Sequence, residues 1–160
     1  MPRDKIVFSH NDAQENNILS SLENATKIIL IDYEYGMWNP QYYDLANYLN
    51  EFVCDNSYPK GTGVAYYISN WPEDREIEQM VRSYFELSQP ASARVSWNIE
   101  EAQCRQAFEQ TKQCMVLNNY YWAVWSIMML SEQDETDPSV FNWEFCRGRT
   151  QMHKKSVQDW

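Results

Sequence analysis

The stretch FSHNDAQENNIL, residues 8–19, places a polar loop directly between two short apolar runs that are typical of β-strands. A second stretch, LIDYEY at residues 30–35, ends another run of β-branched and leucine residues with a carboxylate, Asp32. A turn-like segment at residues 23–26 lies between the two, which predicts a small β-hairpin. Such a hairpin would bring its polar ends together, so that Asp12, Asn17 and Asp32 converge.

Residues 10–17 fit the pattern H-x-D-x-x-x-x-N, which is the spacing of the catalytic loop in protein kinases. Three fixed positions are a weak signal alone, but Asp32 follows Asp12 by 20 residues, where a kinase carries a metal-binding aspartate. Phosphoryl transfer needs a carboxylate that orients the acceptor hydroxyl and takes its proton, and it needs oxygen ligands for Mg²⁺. These residue types predict Asp12 as the base, Asn17 and Asp32 as metal ligands, and ATP as the phosphoryl donor.

The two stretches together closely resemble the signature of the choline/ethanolamine kinases. The resemblance continues through YDLAN at residues 43–47 and WAVWSI at residues 122–127. It covers nearly the whole chain, but only the C-terminal lobe of that family's kinase-like fold. The resemblance implies Mg²⁺- and ATP-dependent phosphorylation of the hydroxyl of choline or ethanolamine, the first step of the CDP-alcohol route to phospholipids.

The resemblance also implies roles for individual residues. Asp12 is then the catalytic base, Asn17 and Asp32 bind Mg²⁺, Asp44 braces the catalytic loop, and His10 is a structural anchor. The positions that surround the substrate in the family fall on Gln14, Tyr35, Glu51, Trp122, Trp125 and Phe145. Asn56 stands where the family carries an aromatic residue, so the cage around the amine is expected to differ in this chain.

Trp122 and Trp125 lie one helical turn apart on one face of a predicted helix. A quaternary ammonium is attracted to aromatic faces, most strongly to tryptophan, and each contact is worth about 0.5–2 kcal/mol. Glu51 would add long-range attraction for the cation. The alternative is that this aromatic stripe is ordinary core.

Apolar periodicity predicts helices at residues 42–53, 73–87, 98–131 and 140–158. The third would begin with a capping box of Asn98 and Glu101. Loops are expected at residues 58–63, 89–96 and 132–139. A hairpin followed by helices indicates an α+β domain that is mainly α. The resemblance to the choline/ethanolamine kinases implies that this domain is the C-terminal lobe of a protein-kinase-like fold, a small β-hairpin plus helices.

The composition excludes several classes of protein. The chain has 160 residues, 13 Lys plus Arg against 23 Asp plus Glu, a formal net charge of −10 and 15% aromatic residues. So many aromatic residues exclude a disordered chain, and so acidic a chain is unsuited to nucleic acid. We expect a cytoplasmic protein with no signal peptide or membrane span. The four cysteines form no C-x-x-C pair, so free thiols are predicted rather than a zinc site.

The remaining signals concern what the chain lacks and where its cations lie. Its four glycines form no glycine-rich phosphate loop. We therefore expect residues 1–160 to be a single lobe without the N-terminal ATP-binding lobe, and nearly inactive alone. Apolar surface exposed where that lobe docks would favour a homodimer.

A basic cluster is expected to balance the acidic surface and to cap the last helix: Arg147, Arg149, Lys154 and Lys155.

Two alternatives remain open for the activity. The first is a different small-molecule kinase, of the aminoglycoside or sugar kinase type. The second is a non-catalytic lobe that binds an amine or a partner. Choline and ethanolamine are not separated either, because an aromatic cage favours the trimethylated head, whereas Asn56 would tolerate a primary ammonium.

Overall fold

The computed structural model describes residues 5–23, 27–56, 64–90, 92, 100–132 and 143–160, and within them short strands precede long helices. The strands are β1 (Ile6–Ser9), β2 (Ile18–Ser20), β3 (Ile28–Leu30), β4 (Met37–Pro40), β5 (Cys54–Asp55) and β6 (Ala65–Tyr66). The helices are α1 (Tyr43–Glu51), α2 (Asp74–Leu87), α3 (Glu101–Glu132) and α4 (Trp143–Asp159). The predicted class, α+β and mainly α, is confirmed.

Strands β2 and β3 form the predicted hairpin. They pair antiparallel, with Ile18 opposite Leu30 and Ser20 opposite Ile28. The backbone amide of Ile31 donates to the carbonyl of Asn17 at 3.0 Å, so the pairing extends to the end of the hairpin. The loop before β2 and the loop after β3 therefore lie side by side, as the sequence predicts.

Strand β1 covers the apolar run that precedes the polar loop, as the sequence predicts, but the partner of this strand was not predicted. It does not join the hairpin but pairs antiparallel with β4, where Phe8 lies opposite Trp38. Residues 37–40 were not recognised as a strand. Pro40 ends β4, where its missing N–H is tolerated, and α1 begins at Tyr43, one residue after the predicted start. Two strands of four residues, thirty positions apart, carry too little periodicity to reveal their pairing.

The helices enclose the apolar core, and α3 packs against each of the other three. Leu49 of α1, Val81 of α2 and Ala107 of α3 are fully buried and belong to one hydrophobic cluster. Helix α3 is the longest described helix, and it contacts both α1 and α4.

The predicted helix boundaries agree with the structure where it describes them. Helix α2 begins one residue after Glu73, whose side chain forms a capping box with Glu76. The predicted cap at Asn98 lies outside the described residues, and the structure describes α3 from Glu101. The expected loop at 58–63, most of the loops at 89–96 and 132–139, and the predicted helix start at 140–142 also lie outside the described residues.

Two further expectations concern the cysteines and the membrane. Cys54, Cys104, Cys114 and Cys146 are all free thiols. Within the described residues, no helix has the length and apolar character needed to cross a bilayer.

Candidate active site

Helix α1 holds the loop that follows β1. Asp44, in the first turn of α1, accepts hydrogen bonds from the backbone amides of His10 and Asn11, both at 2.8 Å. Hydrogen bonds to a carboxylate are stronger than those between neutral groups. Asp44 therefore ties the loop to the helix at the two residues that precede Asp12.

Buried asparagines brace the same loop a second time. The amide of Ala13 donates to the Asn47 side chain on α1. Asn50, one turn further along α1, donates to the side chain of Asn118 at 3.0 Å and to the carbonyl of Met115 at 3.1 Å, both on α3. Since all three asparagines are fully buried, these bonds fix the register of α1 against α3 beneath the loop.

His10 connects the loop to the residues after β3. Its Nε2 lies 2.7 Å from the carbonyl oxygen of Ile31, and its Nδ1 accepts from the amide of Asp12 at 3.3 Å. Both contacts are satisfied by the neutral tautomer that carries its proton on Nε2. The imidazole is buried and packs on Tyr33, with ring centroids 4.4 Å apart. His10 thus occupies the position of an anchor between the two loops.

Both loops contain a residue with left-handed backbone conformation, Asn11 with φ 69° and Asp32 with φ 64°. Asparagine and aspartate tolerate this region better than other non-glycine residues. Asn11 is held there by its side chain, which donates to the carbonyl of Tyr35 and accepts from Asn39, each at 2.6 Å. The loop that follows β3 is therefore held in place partly by Asn11 in the loop that follows β1.

The predicted metal ligands present oxygen atoms next to the predicted base. The Asn17 side-chain amide donates to the backbone oxygen and to Oδ2 of Asp12, both at 2.9 Å. These bonds use the nitrogen of Asn17, so its Oδ1 remains to serve as a ligand. Asp32 is exposed and adds a carboxylate. Mg²⁺ uses one or two such ligands and completes its shell with waters and phosphate, so this donor set fits.

A cage built from protein side chains alone would need more ligands. Within the described residues, no three His, Cys, Asp or Glu side chains cluster closely enough to hold a metal ion.

Burial changes the acidity of Asp12. Desolvation and the nearby Glu51 carboxylate raise the pKa of Asp12 to about 6, while Arg149, His10 and the Asn17 hydrogen bond act in the opposite direction. At pH 7.5 this carboxyl group is ionised, yet its pKa lies closer to the working pH than that of an exposed aspartate. Such a group is suited to accept a proton from an alcohol.

Four aromatic side chains surround the space beside Asp12. Trp122 and Trp125 lie 5.2 Å apart at their ring centroids, and Tyr35 lies 5.3 Å from Trp122 and 6.1 Å from Trp125. Phe145 of α4 lies 6.3 Å from Trp125. Trp125 also forms a hydrogen bond with the Tyr35 hydroxyl, and burial together with nearby Glu34 raises the pKa of Tyr35. These four rings, Tyr35, Trp122, Trp125 and Phe145, form an aromatic wall that can attract a cation.

One cleft of about 280 Å³ brings the chemistry and the aromatic wall together. Gln14 reaches this cleft from the loop that follows β1, where its side chain caps the 3₁₀ turn at Glu15–Asn17. A larger cavity, of about 510 Å³ beside Trp71, contains none of the predicted site residues. The cleft is lined by Asp12, Gln14, Asp32, Glu34, Tyr35, Glu51, Asn56, Trp122, Trp125, Phe145 and Arg149.

The structure corrects the interpretation of the basic cluster. Arg149 is buried, and its Nη1 forms an ion pair with Oε1 of Glu51 at 2.9 Å. Arg147 and Lys154 are exposed, Lys155 pairs with Asp159, and the last turn of α4 contains no basic residue. Arg149 therefore neither balances the surface nor caps the helix, because its partner lies on α1, far away in sequence.

Three residues at or beside the cleft, Glu34, Tyr66 and Arg149, were not assigned to it from the sequence. Glu34, which follows Asp32 by two residues, also lines the cleft. Tyr66 of β6 contacts the Arg149 guanidinium, which lies 6.0 Å from its ring centroid. A signal for Arg149 existed, because it follows Phe145 by four residues and so shares its helix face. Tyr66 offered none, since β5 and β6 are two residues long.

A solved structure shows the same fold. The choline kinase of Cryptosporidium parvum Iowa II aligns with a TM-score of 0.73 and 23% identity, over 97% of this chain and 39% of that one. The described strands and helices therefore correspond to part of a kinase-like fold.

Curated relatives point the same way. The human "Choline/ethanolamine kinase" is 27% identical over 132 residues, which are 79% of this chain and 32% of the relative. Mouse "Choline kinase alpha" is 28% identical over 130 residues, or 79% of this chain and 29% of the relative. The chain thus spans about a third of the length of the curated relatives it matches. Since the family model described as choline/ethanolamine kinase matches residues 2–150, this chain belongs to the choline/ethanolamine kinase family.

Proposed function

We propose that this chain binds a small amine alcohol, choline or ethanolamine, and supplies the residues that transfer the γ-phosphoryl group of Mg·ATP to its hydroxyl. The observation that supports this most directly is the shared cleft, in which Asp12 and Asp32 lie with the aromatic wall. A cleft of about 280 Å³ suits a small headgroup better than a multi-ring aminoglycoside.

Asp12 acts on the acceptor alcohol. Its ionised carboxylate orients the hydroxyl and takes its proton while the alcohol oxygen bonds to the γ-phosphorus and the bond to the ADP oxygen breaks. The hydrogen bonds from Asn17 keep the carboxylate oriented toward the loop. With a pKa of about 6, Asp12 becomes protonated below that pH, so activity should fall there.

Asn17 and Asp32 would hold the magnesium ion. When bound, Mg²⁺ offsets the negative charge that develops on the phosphates. Asp44 and His10 do not touch the substrate in this proposal. They position the two loops through the backbone hydrogen bonds described above.

The aromatic wall would hold the ammonium group. Tyr35, Trp122, Trp125 and Phe145 offer faces that attract a cation without requiring hydrogen bonds from it. Gln14 lies in the same cleft and can contact the alcohol end, whereas Glu51 lines the cleft as half of an ion pair with Arg149. The substrate is thereby fixed at its cationic end while its hydroxyl reaches Asp12.

Binding tests the amine pocket. Isothermal titration of the chain with choline and with ethanolamine should detect binding, and Trp125→Leu should weaken choline binding about three- to thirtyfold. Trp160→Leu is the matched control, since Trp160 is exposed and lies outside the cleft. Equal losses in both variants would contradict the assignment of the pocket.

Transfer tests the chemistry. In the protein that contains this chain, Mg·ATP and choline should yield phosphocholine, and Asp12→Asn should abolish turnover while choline still binds. Unchanged transfer in Asp12→Asn would support the non-catalytic alternative. Phosphorylation of an aminoglycoside or a sugar in place of the amine alcohols would support the other alternative.

A further inference from the structure

The amine pocket contains a cation of its own. Arg149 and Glu51 form an ion pair at 2.9 Å, and each side chain is only 5% exposed. Arginine remains protonated under all ordinary conditions, so this is a permanently charged group inside a site that binds cations under the proposed function. Because both side chains are buried, this ion pair is not a surface salt bridge.

The guanidinium lies among aromatic rings in the way an ammonium ligand would. Its Cζ atom is 5.7 Å from the ring centroid of Trp122 and 5.5 Å from that of Phe145. Tyr66 forms a further side at 6.0 Å, and Gly148 permits its approach, because a Cβ there would lie 2.2 Å from the Tyr66 ring. Trp122 and Phe145 are therefore shared between the internal cation and the cleft.

The Glu51 carboxylate is fully engaged within the protein. Oε1 accepts from Arg149 at 2.9 Å, and Oε2 accepts from the side-chain amide of Asn56 at 3.0 Å. Asn56 is itself fixed by Glu15, which accepts from its backbone and side-chain nitrogens at 2.8 and 3.1 Å. A headgroup that enters the cleft thus meets a neutral pair in place of a free carboxylate.

We propose that Arg149 is a specificity-determining residue of the amine pocket: it neutralises Glu51, so that the balance between these two charges sets how strongly the pocket prefers a cationic over a neutral headgroup. This inference rests on the proposed function, since it assumes that the cleft binds the amine. The attraction for the cation then comes from the aromatic faces and from carboxylates outside the pair.

Changing one charge of the pair should shift this preference in a defined direction. Glu51→Gln leaves an uncompensated cation, which repels choline but not its uncharged isostere 3,3-dimethylbutan-1-ol. Arg149→Met leaves an uncompensated anion and acts in the opposite direction. For unit charges about 10 Å apart at an effective dielectric constant of about 20, each effect is on the order of tenfold.

The experiment is a comparison of affinities without ATP. The affinities of choline and of 3,3-dimethylbutan-1-ol are measured by titration calorimetry at 10 °C on the full chain. The variants are Glu51→Gln, Arg149→Met and the double variant, and Arg147→Met serves as an exposed control on the same helix. The ratio of the two affinities should fall about tenfold in the first variant and rise about tenfold in the second. In the double variant and in Arg147→Met, the ratio should stay within about twofold of its value in the unsubstituted chain.

A purely structural ion pair would weaken both ligands equally, so an unchanged ratio in the single variants would overturn the inference. A lone buried charge destabilises the fold, so a single variant can fail to fold for that reason alone. The double variant contains neither charge, and its affinity ratio is compared with that of whichever single variant folds. Failure of the proposed function looks different: the ratio would shift as expected while the protein that contains this chain transfers no phosphate to choline.

Discussion

Asp12 shows how burial at a single residue opposes stability and serves chemistry. Its pKa rises from 3.8 to about 6 in the folded protein, chiefly through desolvation and then through Glu51. A carboxyl group whose pKa is raised by folding destabilises the folded state when it is ionised. The cost of keeping it ionised is absent below about pH 4, grows between pH 4 and 6, and is complete above pH 6.

Asp12→Asn should therefore stabilise the protein in a pH-dependent manner. We expect the free energy of unfolding to rise by about 1–3 kcal/mol at pH 7.5 and by almost nothing at pH 4. Urea denaturation at the two pH values measures this, with Asp74→Asn at an exposed position as the control. An equal gain at both pH values would show that the desolvated charge is not the cause.

At the residue scale, the sequence predicted the types of group better than their electrostatic state. The spacing of Asp12, Asn17 and Asp32 indicated the loops, because a short hairpin leaves them little freedom. The neutralisation of Glu51 by Arg149 was not predictable, since 98 residues separate the two and only the packing of α4 on α3 brings them together. Burial of an arginine is also a rare outcome that composition cannot indicate.

At the element scale, Asp44 connects a helix to a loop. Its carboxylate accepts two backbone hydrogen bonds, at His10 and Asn11, and no other described side chain accepts from these amides. Hydrogen bonds to charged groups contribute about 1.5–3 kcal/mol each. The first turn of α1 thus holds the backbone of the loop that follows β1.

Asp44→Ala should lower the free energy of unfolding by about 2–5 kcal/mol and speed hydrogen exchange at His10 and Asn11. Asp74→Ala is the matched control, since Asp74 also lies in the first turn of a helix but makes an exposed ion pair with Lys112. That variant should lose no more than about 1 kcal/mol. Equal losses in the two variants would indicate a helix-terminus effect in place of the loop contact.

The elements that the sequence predicted well are those with a strong period of their own. Helices α1 and α2 follow apolar stripes that are several turns long, and β2 and β3 flank a turn. Strands β1 and β4 are defined by pairing with each other, which is a tertiary property. The same limit applies to β5 and β6, whose two-residue pairing places Tyr66 against Arg149.

At the scale of the whole molecule, an acidic surface coexists with an exposed apolar region on the strands. Phe8 and Trp38 face each other across β1 and β4 and are 55% and 70% exposed, and Ile28 on β3 is 64% exposed. Exposed apolar groups concentrated on one part of a surface favour association. The net charge of −10 opposes it, but salt screens that repulsion over about 8 Å at physiological ionic strength.

We therefore expect the isolated chain to self-associate through its strands, and more strongly as salt is raised. Sedimentation velocity between 5 and 200 µM should show a sedimentation coefficient that rises with concentration, and Trp38→Lys should reduce that rise. Trp160→Lys makes the same charge change at a tryptophan that is 63% exposed and follows α4, so it controls for charge alone. A monomer at all concentrations, or equal effects of both substitutions, would show that the strands do not form the contact. The salt series separates the two forces, because association driven by apolar burial strengthens as repulsion is screened, whereas association through ion pairs weakens.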